Sequence, residues 1–345
     1  MRRIALLLPT LEVLLLLAFG VLVGCGSGES TADPPTMDTP EEVAKAVAPA
    51  VDEASIREHL ERLTGEAPVS LEGGKKTTIS ERGSEKGRRA AAEYVKKSFE
   101  EAGVPARILD YKEKSFPVED FAYLSGSERG YNVEATLEGA GGEKHLWVTA
   151  HLDSVGNAGA NDNASGLVLL LLSAKALEQL ELEYTVHFVA YDLEEPGLLG
   201  SKRYVDTVAS SVQEREGEGA ILGNVNADMV GYEQDEFNAF VETCGQAGSL
   251  YEALTRASRA IDPPVALEEG CPERIAGRAD HKHFREAGLP AVLLIDGAMA
   301  DAYPCYHKPC DTMDKVNVTY LRSMIRLVAT ASALLAVPEP GQVAR

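Results

Sequence analysis

Basic residues are scarce in this chain. Its 33 Lys and Arg stand against 54 Asp and Glu, a formal charge of −21. A surface that acidic repels phosphate backbones, so nucleic acid is excluded as a partner. Long apolar runs are also lacking after the first two dozen residues. None approaches the roughly 18 residues of a membrane-spanning helix. No internal repeat and no second core is visible, so one catalytic-sized domain is expected. Cysteine is sparse as well, five in 345 residues, and the spacing is not that of a zinc ribbon. A chain this long buries a large core without needing staples to fold.

The beginning of the chain is different. Met1-Arg2-Arg3 is a short basic head, and Ile4 to Val23 is mostly apolar, interrupted by Pro9 and Glu12. Leu22-Val-Gly-Cys25 has the small residues before a Cys of a bacterial lipobox, which reads as a lipoprotein signal peptide over 1–24. Cleavage would leave Cys25 acylated and anchored to a membrane, the competing reading being a plain signal peptide or membrane anchor with a chance Cys. It also removes Arg2, Arg3 and Glu12, so the mature chain is one charge more acidic. Residues 25–40, rich in Gly, Ser, Thr and Pro, read as a flexible tether. The domain is expected over 41–337, with a tail over 338–345. Export places the other cysteines in an oxidising compartment. Of three pairings, Cys305 with Cys310 and Cys244 with Cys271 is the simplest; metal thiolates are the competing reading.

The body alternates between two periodicities. Glu41 to Leu63 and Arg88 to Ala102 read as helices, followed by strand-like Pro105 to Lys114 and Tyr131 to Leu137. Lys144 to Ala150 and Tyr184 to Tyr191 read as buried strands around a helix at Leu167 to Leu177. Then come a helix over Leu198 to Val208, strands over Ile221 to Ala227 and Phe237 to Glu242, and a helix over Ser249 to Ile261. A helix at His281 to Ala287, a strand at Ala291 to Ile295 and a terminal helix at Val318 to Leu335 complete the pattern. The fold class is α/β: a mostly parallel mixed central sheet with helices on both faces.

Five segments put acids or a His just past a strand or in a loop, where open α/β sheets bind ligands. The first, His151-Leu-Asp153 through Asn161-Asp162-Asn-Ala-Ser-Gly166, is also compatible with an ordinary polar turn. The second is Asp192-Leu-Glu194-Glu195, where acids also suit a helix N-terminus. The third, Asp228-Met-Val-Gly231, ends an apolar strand. The fourth is Arg278-Ala-Asp280-His281, where Asp280 suits a helix cap. The fifth is Cys305-Tyr306-His307-Lys-Pro-Cys310-Asp311. Singly each has a structural explanation. Together, His151, Asp162, Glu195, Asp228 and His307 suit two tetrahedral zinc sites sharing one carboxylate. Two cations also relieve the repulsion among clustered acids. Calcium fits poorly, since it prefers oxygen to imidazole.

In order and context these motifs resemble the co-catalytic di-zinc aminopeptidases of the twenty-eighth metallopeptidase family, in the secreted bacterial form. The resemblance runs from about Ser80 to Leu335 and implies the zinc-exopeptidase fold. It implies His151 and Asp228 as terminal ligands of one zinc, Glu195 and His307 of the other, and Asp162 bridging both, with a cis peptide to Asn163. It implies Asp153 orienting His151, Glu194 as general base, Tyr306 stabilising the oxyanion, and Arg278 near the substrate's free amine. Ala279 stands where the family often has Ser. The expected activity is removal of N-terminal residues from peptides with a free amine. A glutaminyl cyclase on the same fold and a non-catalytic lipid-anchored peptide-binding protein are the alternatives.

Overall fold

Eight strands run side by side in a computed structural model that describes residues 37, 39–112, 129–217, 219–232, 237–245, 247–273, 275–297 and 303–337. The signal peptide, Cys25, nearly all of the tether and the tail over 338–345 lie outside the described residues. From Met37 onward the chain forms one compact unit. Helix α1 (Pro40–Val47) begins inside the expected tether, because Thr39 and Glu42 close a reciprocal capping box. A single helix from Glu41 to Leu63 does not form. Pro49 sits in a short 3₁₀ turn, and Asp52 then caps a separate α2 (Glu53–Leu63) by accepting from Ser55 N–H.

The hairpin of β1 (Val69–Ser70) and β2 (Lys76–Thr77) leads to α3 (Glu85–Glu101). That helix starts three residues earlier than its apolar pattern indicates, because Ser84 caps it. The remaining elements are β3 (Ala106–Lys112), β4 (Arg129–Leu137), β5 (His145–His151), α4 (Ser165–Glu178), β6 (Thr185–Tyr191), α5 (Leu199–Tyr204), α6 (Ser210–Glu216), β7 (Ile221–Ala227), β8 (Asn238–Glu242), α7 (Gly248–Ala260), β9 (Ala266–Gly270), α8 (His281–Glu286), β10 (Ala291–Asp296) and α9 (Val318–Ala336). Strand β9 has no apolar alternation in the sequence, since Leu267 is followed by Glu268 and Glu269 at the sheet edge. Helix α9 is long and apolar enough to span a membrane by length and composition, unlike the sequence reading, but it is largely buried within the fold.

The sheet order is β3-β4-β6-β5-β7-β10-β8-β9. The four central strands, β6, β5, β7 and β10, are parallel; β4 and β8 run against them. Side-chain alternation divides the strands between two cores. Leu146, Val148, Ala150, Val186, Phe188 and Ala190 pack with α4 and α9, while Trp147, Val189 and Tyr191 pack with Tyr204, Val212 and Phe284. Helix α4, with Leu167 to Leu172 all buried, is apolar on every side because it lies inside the first core. After β5 the chain steps to β6 on one side and then crosses to β7 on the other. The carboxyl ends of β5, β6 and β7 therefore open beside a switch in strand order, where such sheets bind ligands.

Candidate metal centre

His151 is the last residue of β5, Glu194 and Glu195 follow β6, and Asp228 follows β7. Asp162 lies in the loop that enters α4, preceding a cis peptide to Asn163. His307 comes from the loop between β10 and α9, held between Cys305 and Cys310, which are disulfide-bonded. These six residues, far apart in the chain, converge. His151 Nε2 is 3.1 Å from Asp162 Oδ1 and 3.4 Å from Asp228 Oδ1. His307 Nε2 is 3.3 Å from Asp162 Oδ2 and 3.0 Å from Glu195 Oε2. Asp162 thus presents one oxygen to each group of three. Both groups have donors close enough for one cation, with one His and two carboxylates in each.

The backbone is bent to achieve this. Leu193, Met229 and His307 have φ of +62°, +50° and +55°, a region non-glycine residues seldom occupy. One precedes Glu194, one follows Asp228, and one is itself in the cluster, as expected where strain serves a site. Gly159 has φ +57°, and a Cβ there would come within 2.4 Å of Asp162 O.

Side chains lock the loops to one another. Asn163 accepts from Met229 N–H and donates to Ala227 O, gripping Asp228 from both sides. Asn161 accepts from Gly231 N–H. Asp311 accepts from the N–H groups of Asn161 and Asp162 at 2.8 and 3.1 Å and from Tyr303 O–H at 2.6 Å. His151 Nδ1 faces the main-chain carbonyl of Asp153 at 3.2 Å; the Asp153 carboxylate is 3.7 Å away. That carboxylate instead accepts from the N–H groups of Glu194 and Glu195 at 3.0 and 3.2 Å. Arg88 is buried against Asp192 at 3.0 Å, which fixes the start of the same turn. Arg88 shares a helix face with Ala91, Ala92, Val95 and Phe99, so the 3.6-residue period carried a signal for a buried Arg. Arg82, in the polar stretch between β2 and α3, gave no such signal.

The electrostatics are those of an acid cluster short of positive charge. Burial and the Asp162 carboxylate push Glu195 up to about 7. Burial, reinforced by Asp153 and Asp228, does the same to Asp280. Burial and the Glu195, Asp280 and Asp228 carboxylates put Glu194 well above the usual range, against the pull of His151. Burial opposes charge on His307, but Asp162 and Glu195 outweigh it and hold the ring at about 10. Glu195 Oε1 and Asp228 Oδ1 are buried with no hydrogen-bond partner among the described residues. Unused lone pairs, excess acid and two imidazoles fit divalent cations of the zinc type.

Tyr306 is 37% exposed and stacks on the His307 ring at 3.9 Å between centroids. Arg278, by contrast, is exposed on the loop before α8. Cys244 and Cys271 lie near Glu242 but are bonded to each other, so that group is a disulfide and not a thiolate metal site.

The model of peptidase family M28 matches residues 132–332. Aminopeptidase YwaD of Bacillus subtilis (strain 168) is 30% identical over 246 residues, 69% of this chain and 50% of that protein. Leupeptin-inactivating enzyme 1 of Streptomyces exfoliatus is 28% identical over 334 residues, 90% of this chain and 68% of that one. The chain thus spans half to two thirds of the length of these two relatives. The solved aminopeptidase from Aneurinibacillus sp. strain AM-1 superposes with a TM-score of 0.67 at 17% identity, covering 86% of this chain and 96% of that one.

Proposed function

Because the chain belongs to peptidase family M28, we propose that it is a zinc-dependent aminopeptidase that removes N-terminal residues from peptides. The observation that carries this reading is the Asp162 carboxylate, which offers one oxygen to His151 and the other to His307. In this reading His151, Asp162 and Asp228 would hold one zinc, and Asp162, Glu195 and His307 would hold a second. When bound, zinc supplies Lewis acidity and brings the pKa of a water in its site toward neutrality.

The protein's own groups do the rest. Glu194 is held by its N–H on Asp153, and its carboxylate, beside His151 and Glu195, would act as general base once cations relieve the excess acid. It takes a proton from the attacking water and returns it to the departing amine nitrogen. Tyr306, anchored by stacking on His307, donates its O–H to the oxyanion of the tetrahedral intermediate. Burial and the surrounding carboxylates keep that phenol protonated far above its ordinary pKa, which suits a donor. The excess acid attracts a substrate's free ammonium, which favours an exopeptidase acting at the amino end. The family resemblance alone supports Arg278 beside the approaching peptide, since its guanidinium would not attract the ammonium. A full second group of three donors favours this reading over the alternative of a glutaminyl cyclase with a single zinc.

We also assign Cys25 as a lipid attachment that tethers the enzyme to a membrane of the cell envelope. The lipobox sequence supports it, and Cys25→Ser should release the protein from the membrane fraction. The catalytic reading is tested with aminoacyl anilides, free and N-terminally blocked. Free substrates should be cleaved and blocked ones spared. Glu194→Gln should lower kcat by about 10²–10⁴-fold with zinc content unchanged; near-normal turnover by that variant would remove Glu194 from the role of base.

A further inference from the structure

Arg82 is fully buried, yet no carboxylate shares a hydrogen bond with its guanidinium in the described structure. All of its side-chain hydrogen bonds go to main-chain carbonyls. Nε donates to Leu152 O at 2.8 Å, Nη1 to Ala158 O at 2.7 Å and Leu63 O at 2.9 Å, and Nη2 to Gly159 O at 2.9 Å. Its own N–H donates to Ser154 Oγ at 3.1 Å, and its carbonyl accepts from Ser154 N–H. Ser154 Oγ in turn donates to Asn157 O. Three of the four carbonyls on the guanidinium belong to the chain between His151 and Asp162; the fourth closes α2.

We infer that Arg82 is a positioning residue of the metal centre. It folds the connection between His151 and Asp162 around one guanidinium and so fixes the 3.1 Å approach of these two side chains. The inference rests on the metalloenzyme reading above. It concerns a residue that precedes the span matched by the family model.

The chemistry requires an arginine. Its N–H groups are splayed in a rigid plane, so carbonyls on different sides can be bonded at once. A lysine has one nitrogen with three donors, fewer than the four carbonyls that the guanidinium bonds from three separate nitrogens. Burying a cation among carbonyls is costly without compensation. Burial lowers the guanidinium's pKa, and the nearby carboxylates of Asp311, Asp162, Asp153 and Glu195 offset only part of that cost. Removal of the guanidinium leaves buried carbonyls unpaired, which lets the loop relax and spreads the ligands it delivers.

The test uses the full chain and zinc alone as probe. Wild type, Arg82→Lys and Arg82→Met are titrated with zinc against a chromogenic chelator, at a temperature where circular dichroism shows each folded. The thermal midpoint of the chelator-treated protein and kcat and KM at saturating zinc are measured alongside. Arg82→Met should bind zinc about 10–100-fold more weakly, as for loss of groups that orient metal ligands. Arg82→Lys should recover only a minor part of that loss, and kcat should fall more than KM changes. Wild-type zinc affinity in either variant, with only the thermal midpoint lowered, would overturn the inference and leave Arg82 a stability residue. If neither variant folds, Ser154→Ala decides, since it loosens the same loop and keeps the guanidinium. Weaker zinc binding by that variant supports the inference and unchanged binding overturns it. A wild-type chain that binds no zinc defeats the metalloenzyme reading and the inference with it. Zinc in the wild type with unchanged variants defeats the inference alone.

Discussion

The central sheet carries two polar clusters that resemble each other in composition and differ in balance. At the carboxyl end of the sheet, His151, Asp162, Glu194, Glu195, Asp228 and His307 gather with too little positive charge. On the face that carries Trp147, Glu134 meets Arg107 at 2.7 Å and Tyr204 O–H, and lies 3.5 Å from His187. His187 meets His145 at 2.9 Å, and His145 meets Glu216 at 2.6 Å. Trp147 Nε1–H donates to Tyr204 OH. Every side chain named in the second cluster is partnered within it. Burial alone would raise the Glu134 carboxyl, but hydrogen bonds from His187, Tyr204 and Arg107 outweigh it and hold it at about 2. Two histidines and two carboxylates therefore do not make a metal centre. A surplus of acid with unused lone pairs does.

The largest effect is expected at Asp162, the residue that both groups of three donors share. Asp162→Ala should cost at least about 10³-fold in kcat/KM and empty both groups of zinc while the fold persists, read by kinetics, elemental analysis and circular dichroism. Asp153→Asn should cost about 10–100-fold in activity, because the N–H groups of Glu194 and Glu195 lose a charged acceptor. The balanced cluster should respond in the opposite sense. Glu134→Ala should cost about 2–3 kcal/mol of stability in denaturant melts and leave kcat within about twofold. A large activity loss there would erase the distinction between the clusters.

The two clusters should also differ in the sign of their pH dependence. Without metal, Glu195 and Asp280 titrate near 7 in the fold, against 4.5 and 3.8 for ordinary side chains. The folded state then binds more protons than the unfolded chain, so stability falls as pH rises from about 4 through about 7. Glu134 is depressed from 4.5 to about 2, so its contribution is present above 4.5 and lost as pH falls through 2. Chelator-treated protein should therefore gain thermal stability on acidification from pH 8 to pH 5, the gain should vanish with zinc bound, and Glu134→Gln should blunt the loss at lower pH. A zinc-independent profile would contradict the assignment of excess charge to the site. The smallest effect is expected at the loop that carries His307. Cys305→Ser with Cys310→Ser should lower stability by about 2 kcal/mol and weaken one zinc more than the other.

Much of this was legible in the chain because strands announce their ends. The apolar run from Lys144 to Ala150 stops at His151, the run from Tyr184 to Tyr191 precedes Asp192 to Glu195, and the run from Ile221 to Ala227 stops at Asp228. The resemblance to a known family gave the set an order and singled out His151 and His307 over His145 and His187. What the sequence withheld is three-dimensional bracing. Arg82 acts through carbonyls, which have no sequence signature. Asp153, expected to orient His151, faces its Nδ1 through the main-chain carbonyl at 3.2 Å with the carboxylate 3.7 Å away, and that carboxylate also accepts from two N–H groups of a turn some forty residues on, a second task with no sequence signature. The break between α1 and α2 follows from Pro49 and the Asp52 cap, which outweigh a continuous apolar period. Strand β9 forms at an edge where pairing with β8, not burial, decides.

Zinc content of the full chain after exhaustive dialysis, set beside that of the His151→Ala, His307→Ala double variant, addresses the paired groups of donors most directly. Two zinc ions per wild-type chain and none in the folded double variant are expected. Equal zinc in both proteins would mean that the metal sits elsewhere and that the shared Asp162 does not join two sites.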